Sequence, residues 1–161
     1  MRSLLTTLTI PLFCACNGDG SGKINLYTIE DDIELGRQLE AEIAADPETY
    51  PVLSQTQYPE AYAHLYEIRD SILDSGAVLH ADDFDWELKI IHDDETLNAF
   101  CAPGGYIYVY TGLIKFLAHE DNLAGVIGHE IAHADLRHST QQLTQAFGLS
   151  VLFAIVTDSD P

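Results

Sequence analysis

Apolar residues recur at helical spacing over most of the chain and alternate only between Asp85 and Tyr110, so the pattern predicts helices around a small sheet. Ile29, Ile33, Leu39 and Ile43 share one side of a helix from Ile29 to Ala45, with Asp31 and Asp32 suited to its N-terminus. Gly36 lies inside it, where another segment can approach with no side chain between. Asp46-Pro47 and Tyr50-Pro51 break the chain before a second helix, in which Ala61, Leu65, Ile68 and Ile72 recur until Gly76 stops it. Tyr58, Tyr62 and Tyr66 repeat at one-turn spacing there and read as packing.

At Asp85 the period changes. Trp86, Leu88 and Ile90 point one way and Glu87 and Lys89 the other, as in a half-buried strand. After a turn at 92–96, Leu97 to Ala102, then Pro103-Gly104-Gly105, then the β-rich run Tyr106 to Tyr110 predict a hairpin. Thr111 is placed to cap a short apolar helix through Leu113, Ile114, Phe116 and Leu117. Glu120 and Asp121 lead into a helix running from Leu123 to His138. Gln141 to Val156 keeps a helical pattern through Leu143, Phe147, Val151 and Ala154, with an apolar part too short to cross a membrane. The expected class is α+β, mostly helical with a small sheet.

The apolar content, 47% of 161 residues, suffices for one domain with a real core. Acidic residues number 26 against 7 Lys and Arg, a formal net charge of −19. No basic stretch is available to meet a phosphate backbone, which excludes nucleic acid as a partner. The acidic clusters at Glu30-Asp31-Asp32, Asp82 to Asp85 and Asp93-Asp94-Glu95 read as solvated helix starts and loops.

The N-terminal residues follow a different logic. Arg2 precedes an apolar run from Leu4 to Phe13 and then small residues, the layout of an export signal. Leu12-Phe13-Cys14-Ala15-Cys16 is similar to the cleavage box of bacterial lipoproteins, though Phe13 stands where Leu is usual and a plain secretory signal fits as well. The expected layout is a signal peptide at 1–15, lipidation at Cys16, a flexible tether at 16–28 and the N-terminal part of a folded domain at 29–161. Asn17 after the Cys resembles lipoproteins sent to the outer membrane, so the expected location is periplasmic and lipid-anchored. Cys14 leaves with the signal and Cys16 carries lipid, so Cys101 has no intramolecular disulfide partner and reads as a small core residue.

Candidate chemistry sits on the 123–138 helix, in His129-Glu130-Ile131-Ala132-His133. His129 and His133 lie one turn apart, so both imidazoles project from one face at a spacing that a single zinc ion can bridge. Glu130, beside the first of them, is placed to deprotonate an attacking water. On a continuous helix turning about 100° per residue, His138 faces well away from this pair and reads as structural, and Asp135 is rotated off in the same way.

Asn98 to Ile114, followed after a spacer by Asp121 to His133 and then Arg137-His138-Ser139, resembles peptidase family M48, the zinc metallopeptidases that include the CAAX prenyl protease, HtpX and BepA. The similarity runs from about Ile29, where Glu34-Leu35-Gly36-Arg37 also fits, to the end of the chain. It implies a zincin-like, gluzincin-type domain in which His129 and His133 hold one Zn2+ and Glu130 acts as general base and later proton donor in peptide hydrolysis. It also implies that Asn98, Ala99 and Phe100 form the rim of the cleft, pairing their backbone with an extended substrate. Read alone, Asn98 serves equally well as a turn residue closing the preceding loop.

The third ligand in that family is a Glu on a later helix, and this chain has no Glu after Glu130. The expectation is a catalytic domain cut short on its C-terminal side. The implied activity is zinc-dependent endopeptidase action in the bacterial cell envelope on unfolded or misassembled polypeptides. The alternative is a non-catalytic envelope lipoprotein that holds polypeptides with the same fold.

Overall fold

A computed structural model describes residues 24–117 and 119–157, with side chains through residue 147. The expected export signal and Cys16 lie outside the described residues. The elements are α1 (Ile29–Ala45), α2 (Pro59–Leu73), β1 (Leu88–Ile91), β2 (Ala99–Ala102), β3 (Tyr106–Tyr110), α3 (Thr111–Phe116), α4 (Glu120–Asp135) and α5 (His138–Thr157), with a 3-10 turn at Pro103–Gly105 joining β2 to β3. The protein is α+β, as the periodicity predicts.

β3 is the central strand, with β1 parallel on one side and β2 antiparallel on the other. Alternation divides its side chains between two layers. Ile107 and Val109 join Leu88 and Ile90 under α2 and α4, against Tyr62, Leu65, Ile127 and Ile131. Tyr106 and Tyr108 face the other way, with Ile91, Ala102 and Ile43 of α1. Ile107, Val109, Ile127 and Ile131 are at most 1% exposed, and each such burial contributes about 1.5–3 kcal/mol.

α1 starts where the pattern predicts because Thr28 and Asp31 form a capping box: the Thr28 hydroxyl accepts from the Asp31 N–H at 3.1 Å, and the Asp31 carboxylate accepts from the Thr28 N–H at 2.8 Å. Gly36 does permit a close approach. A Cβ there would stand 2.0 Å from the Pro103 carbonyl oxygen, so α1 lies directly on the turn after β2.

Three expectations change. The strand predicted from Asp85 starts only at Leu88, because Trp86 takes φ +46° and is held there by its indole N–H to the His80 carbonyl (3.1 Å) and by Arg69 Nη1 donating to the Trp86 carbonyl (2.8 Å). Thr111 does not cap α3; Tyr110 is the N-cap, and the Thr111 hydroxyl donates instead to Asp94 at 2.6 Å. The motif helix is not continuous to His138. It ends at Asp135, Arg137 takes φ +54°, and α5 starts at His138 in a new direction.

Arg137 is held in that left-handed conformation by its own side chain. Its Nε pairs with the Asp32 carboxylate, and its Nη2 donates to the Tyr27 and Thr28 carbonyls, both at 2.7 Å. Arg137 is 5% exposed and Asp32 1%. Residues 24–28, the end of the expected tether, are drawn into the same contact, with Asn25 Nδ2 donating to Thr140 Oγ1 at 2.9 Å and the Leu26 N–H to Thr144 Oγ1 at 3.0 Å. Among the described residues no helix is long and apolar enough to cross a membrane.

Removing one partner of a buried ion pair leaves the other charge uncompensated, so Asp32→Ala is expected to lower stability by about 3–5 kcal/mol. Urea unfolding followed by circular dichroism measures this, and an unchanged midpoint would show that the pair does not hold the fold.

Candidate active site

α4 carries the motif along the edge of the sheet. Ile127, Ile131 and Ala134 fill the core side of the helix, which turns His129 and His133 outward and leaves Glu130 half-buried between. The two imidazoles converge, with His129 Nε2 and His133 Nε2 3.0 Å apart and ring centroids at 4.5 Å. Two nitrogens each about 2.0–2.1 Å from one tetrahedral zinc stand about 3.3 Å apart, so this pair fits a shared zinc ion with little adjustment. Among the described residues no group of three or more His, Cys, Asp or Glu comes together as a metal site.

Burial raises the Glu130 carboxyl above its ordinary pKa, against the opposing pull of His129, His133 and the Cys101 backbone N–H. That N–H belongs to β2, and strand parity explains why it points there. The Tyr110 N–H donates to the Asn98 carbonyl at 3.1 Å, and the register continues as Ala99 opposite Val109 and Phe100 opposite Tyr108. Hydrogen-bonded positions alternate along an antiparallel pair, so Asn98, Phe100 and Ala102 spend their backbone groups on β3. The N–H and C=O groups of Ala99 and Cys101 therefore face the outer edge of β2, which has no strand beside it among the described residues.

The side chains of the expected rim residues separate accordingly. Ala99 packs toward the α4 layer, while Phe100 lies on the opposite face, stacked on Tyr108 with centroids 4.8 Å apart. A groove of about 430 Å³ between α1 and α5 opens beside this strand, lined by Leu35, Leu39, Cys101, Ala102, Ser139 and Leu143, among others. His129, Glu130 and His133 lie outside its lining.

With this geometry in place, the comparison with known sequences is informative. The pattern defining peptidase family M48 matches residues 59–159, which takes in α2, the whole sheet and the motif helix. The chain belongs to peptidase family M48. The mitochondrial metalloendopeptidase OMA1 of Schizosaccharomyces pombe is 41% identical over 80 residues, covering 48% of this chain and 23% of that protein. Its Arabidopsis thaliana namesake is 36% identical over 77 residues, 48% of this chain and 16% of that protein. A putative beta-barrel assembly-enhancing protease of Vibrio cholerae is 38% identical over 52 residues, 32% of this chain and 11% of that protein. The matches thus span less than a quarter of the length of these relatives.

Two residues reach the family's motif helix in ways the sequence did not indicate. His138, assigned away from the pair on a continuous helix, sits with its Nδ1 2.8 Å from His133 Nδ1, because the turn at Arg137 swings it back. Cys101 contributes its backbone N–H rather than its thiol. Asp135 is turned off the histidine face, as the helical wheel predicts, and accepts from the His80 N–H at 2.7 Å.

Burial, with Glu130 adding in the same direction, pushes the Cys101 thiol well above its ordinary pKa. Little thiolate is then present at pH 8, and in a Cys14→Ser, Cys16→Ser background Cys101 should react with iodoacetamide at least about tenfold more slowly folded than in urea. Equal rates would mean that the thiol opens onto the cleft.

Proposed function

We propose that the chain is the motif-bearing part of a zincin-like, zinc-dependent metalloendopeptidase of the cell envelope, acting on unfolded or misassembled polypeptides. The observation that carries this reading is the convergence of the His129 and His133 Nε2 atoms at 3.0 Å, one residue from a half-buried carboxyl that meets the outer edge of β2 at the Cys101 N–H. His129 and His133 would hold the metal, and a bound zinc supplies Lewis-acid polarisation of the scissile carbonyl and of water.

The protein's own groups account for the rest. Glu130 takes the proton of the attacking water and later delivers it to the departing amine; a carboxyl raised above its ordinary pKa is suited to work in both directions. The outward N–H and C=O of Ala99 and the outward carbonyl of Cys101 pair with an extended substrate, while the Cys101 N–H holds Glu130; backbone pairing gives affinity with little sequence preference. Phe100 serves from the other face by bracing the strand against Tyr108, and Asn98 anchors its start through its carbonyl. Retention of Glu130 beside the pair supports a catalytic role over a purely polypeptide-holding one.

The names of the relatives point two ways, one to a mitochondrial metalloendopeptidase and one to a bacterial protease that enhances beta-barrel assembly. The lipoprotein-like segment ending at Cys16 supports the second.

Glu130→Gln is expected to cut cleavage of an unfolded protein substrate by about 10²–10⁴-fold while about one zinc per chain is retained. Cleavage surviving that change would sink the mechanism. In cells, Cys16→Ser should move the protein from the membrane to the soluble fraction, and unchanged membrane association would count against the lipid anchor.

A further inference from the structure

We propose that His138 is a positioning residue for His133, fixing the tautomer and rotation of that imidazole through an Nδ1 to Nδ1 hydrogen bond. The inference rests on the reading of His133 as a metal ligand. Its geometry is independent of that reading: the two Nδ1 atoms are 2.8 Å apart, with ring centroids at 4.8 Å and planes inclined at 71°.

A hydrogen bond between two imidazole nitrogens requires one N–H and one lone pair. His133 Nε2 faces His129 Nε2, so it is the nitrogen left for a metal, and a ligating nitrogen must offer its lone pair. The His133 proton then sits on Nδ1 and is donated to His138, whose own proton is on Nε2. The same arrangement keeps His138 from acting as a third ligand, since it meets His133 on the nitrogen turned away from His129. Metal-bound histidines elsewhere commonly give their second nitrogen to a carboxylate or carbonyl, and here another imidazole takes that place.

The position of His138 is itself enforced. Arg137 at φ +54° starts α5 in its new direction. The Arg137 side chain is fastened to Asp32 and to the Tyr27 and Thr28 carbonyls, the Arg137 N–H donates to the Ala134 carbonyl at 2.8 Å, and Gln141 Nε2 donates to the Leu136 carbonyl at 2.7 Å. α1, α4 and α5 thus all meet at the turn from which His138 projects.

Long-range proton–nitrogen NMR of the full chain with ¹⁵N-labelled histidine tests the bond without metal. In the unaltered chain His133 and His138 should show complementary Nδ1 states, one protonated and one not, and His138→Phe should abolish the preference at His133. Identical tautomer mixtures at His133 in both chains would overturn the proposal. Zinc competition with a chromogenic chelator should then show affinity about ten- to a hundredfold weaker in His138→Phe and largely recovered in His138→Gln, whose amide oxygen can accept. Unchanged affinity in a folded His138→Phe chain would also overturn it. If His138→Phe does not fold, lack of complementary states in the unaltered chain is decisive alone. An unaltered chain that binds no zinc, yet shows the complementary tautomers, would refute the metal-site reading and not the bond.

Discussion

The buried pair of Arg137 and Asp32 is the constraint on which the arrangement of this protein depends. Taking two charges out of water costs several kcal/mol per ion, and attraction alone repays that only when the remaining donors are also satisfied. Here Arg137 meets its side of the requirement by spending further N–H groups on the Tyr27 and Thr28 carbonyls, while Asp32 Oδ1 finds no hydrogen-bond partner among the described residues. The contact joins the start of α1 to the junction of α4 and α5 across 105 residues of sequence. It also stabilises a left-handed backbone at a residue that would not adopt one unaided.

That junction positions the site from one side, and the sheet positions it from the other. Gly36 brings α1 against the turn following β2, and Gly105, where a Cβ would lie 3.0 Å from the Trp86 nitrogen, brings the same turn against the Trp86 corner. β2 is thereby gripped at its end and paired along one edge, while its outward groups remain directed at α4. Glu130 and the Cys101 N–H meet because a helix and a strand, both rigid elements, are each held by contacts outside the site.

What was legible in the sequence follows from which forces are local. Periodicity, the Asp-Pro and Tyr-Pro breaks, the Pro-Gly-Gly turn and the spacing of His129 and His133 act within a few residues, and the helices, the hairpin and the converging imidazoles emerged where the pattern placed them. The break after Asp135 was not legible. No Gly or Pro marks it, and the residue that turns the chain does so through a carboxylate on another helix. The late start of β1 has the same cause, since Trp86 is held by Arg69 and by the His80 carbonyl. Residues 24–28, which composition alone assigns to a tether, pack against the fold because Asn25 finds Thr140, 115 residues away. A helical wheel drawn through His138 fails for this reason alone.

The consequence for the site is one of preorganisation. His129 and His133 are both exposed, and an exposed imidazole must surrender its rotational freedom before it can bind a metal, at a cost of the order of 0.5–1.5 kcal/mol per side chain. The helical spacing brings the two rings to one face but does not set their rotation. His138 supplies a rotational restraint on His133, and it can do so only from a second helix, since a residue five positions further along an unbroken α4 would point elsewhere. The chain thus obtains the orientation of the His133 ring from a helix break, the break from a buried ion pair, and the ion pair from residues at the opposite end of the described fold.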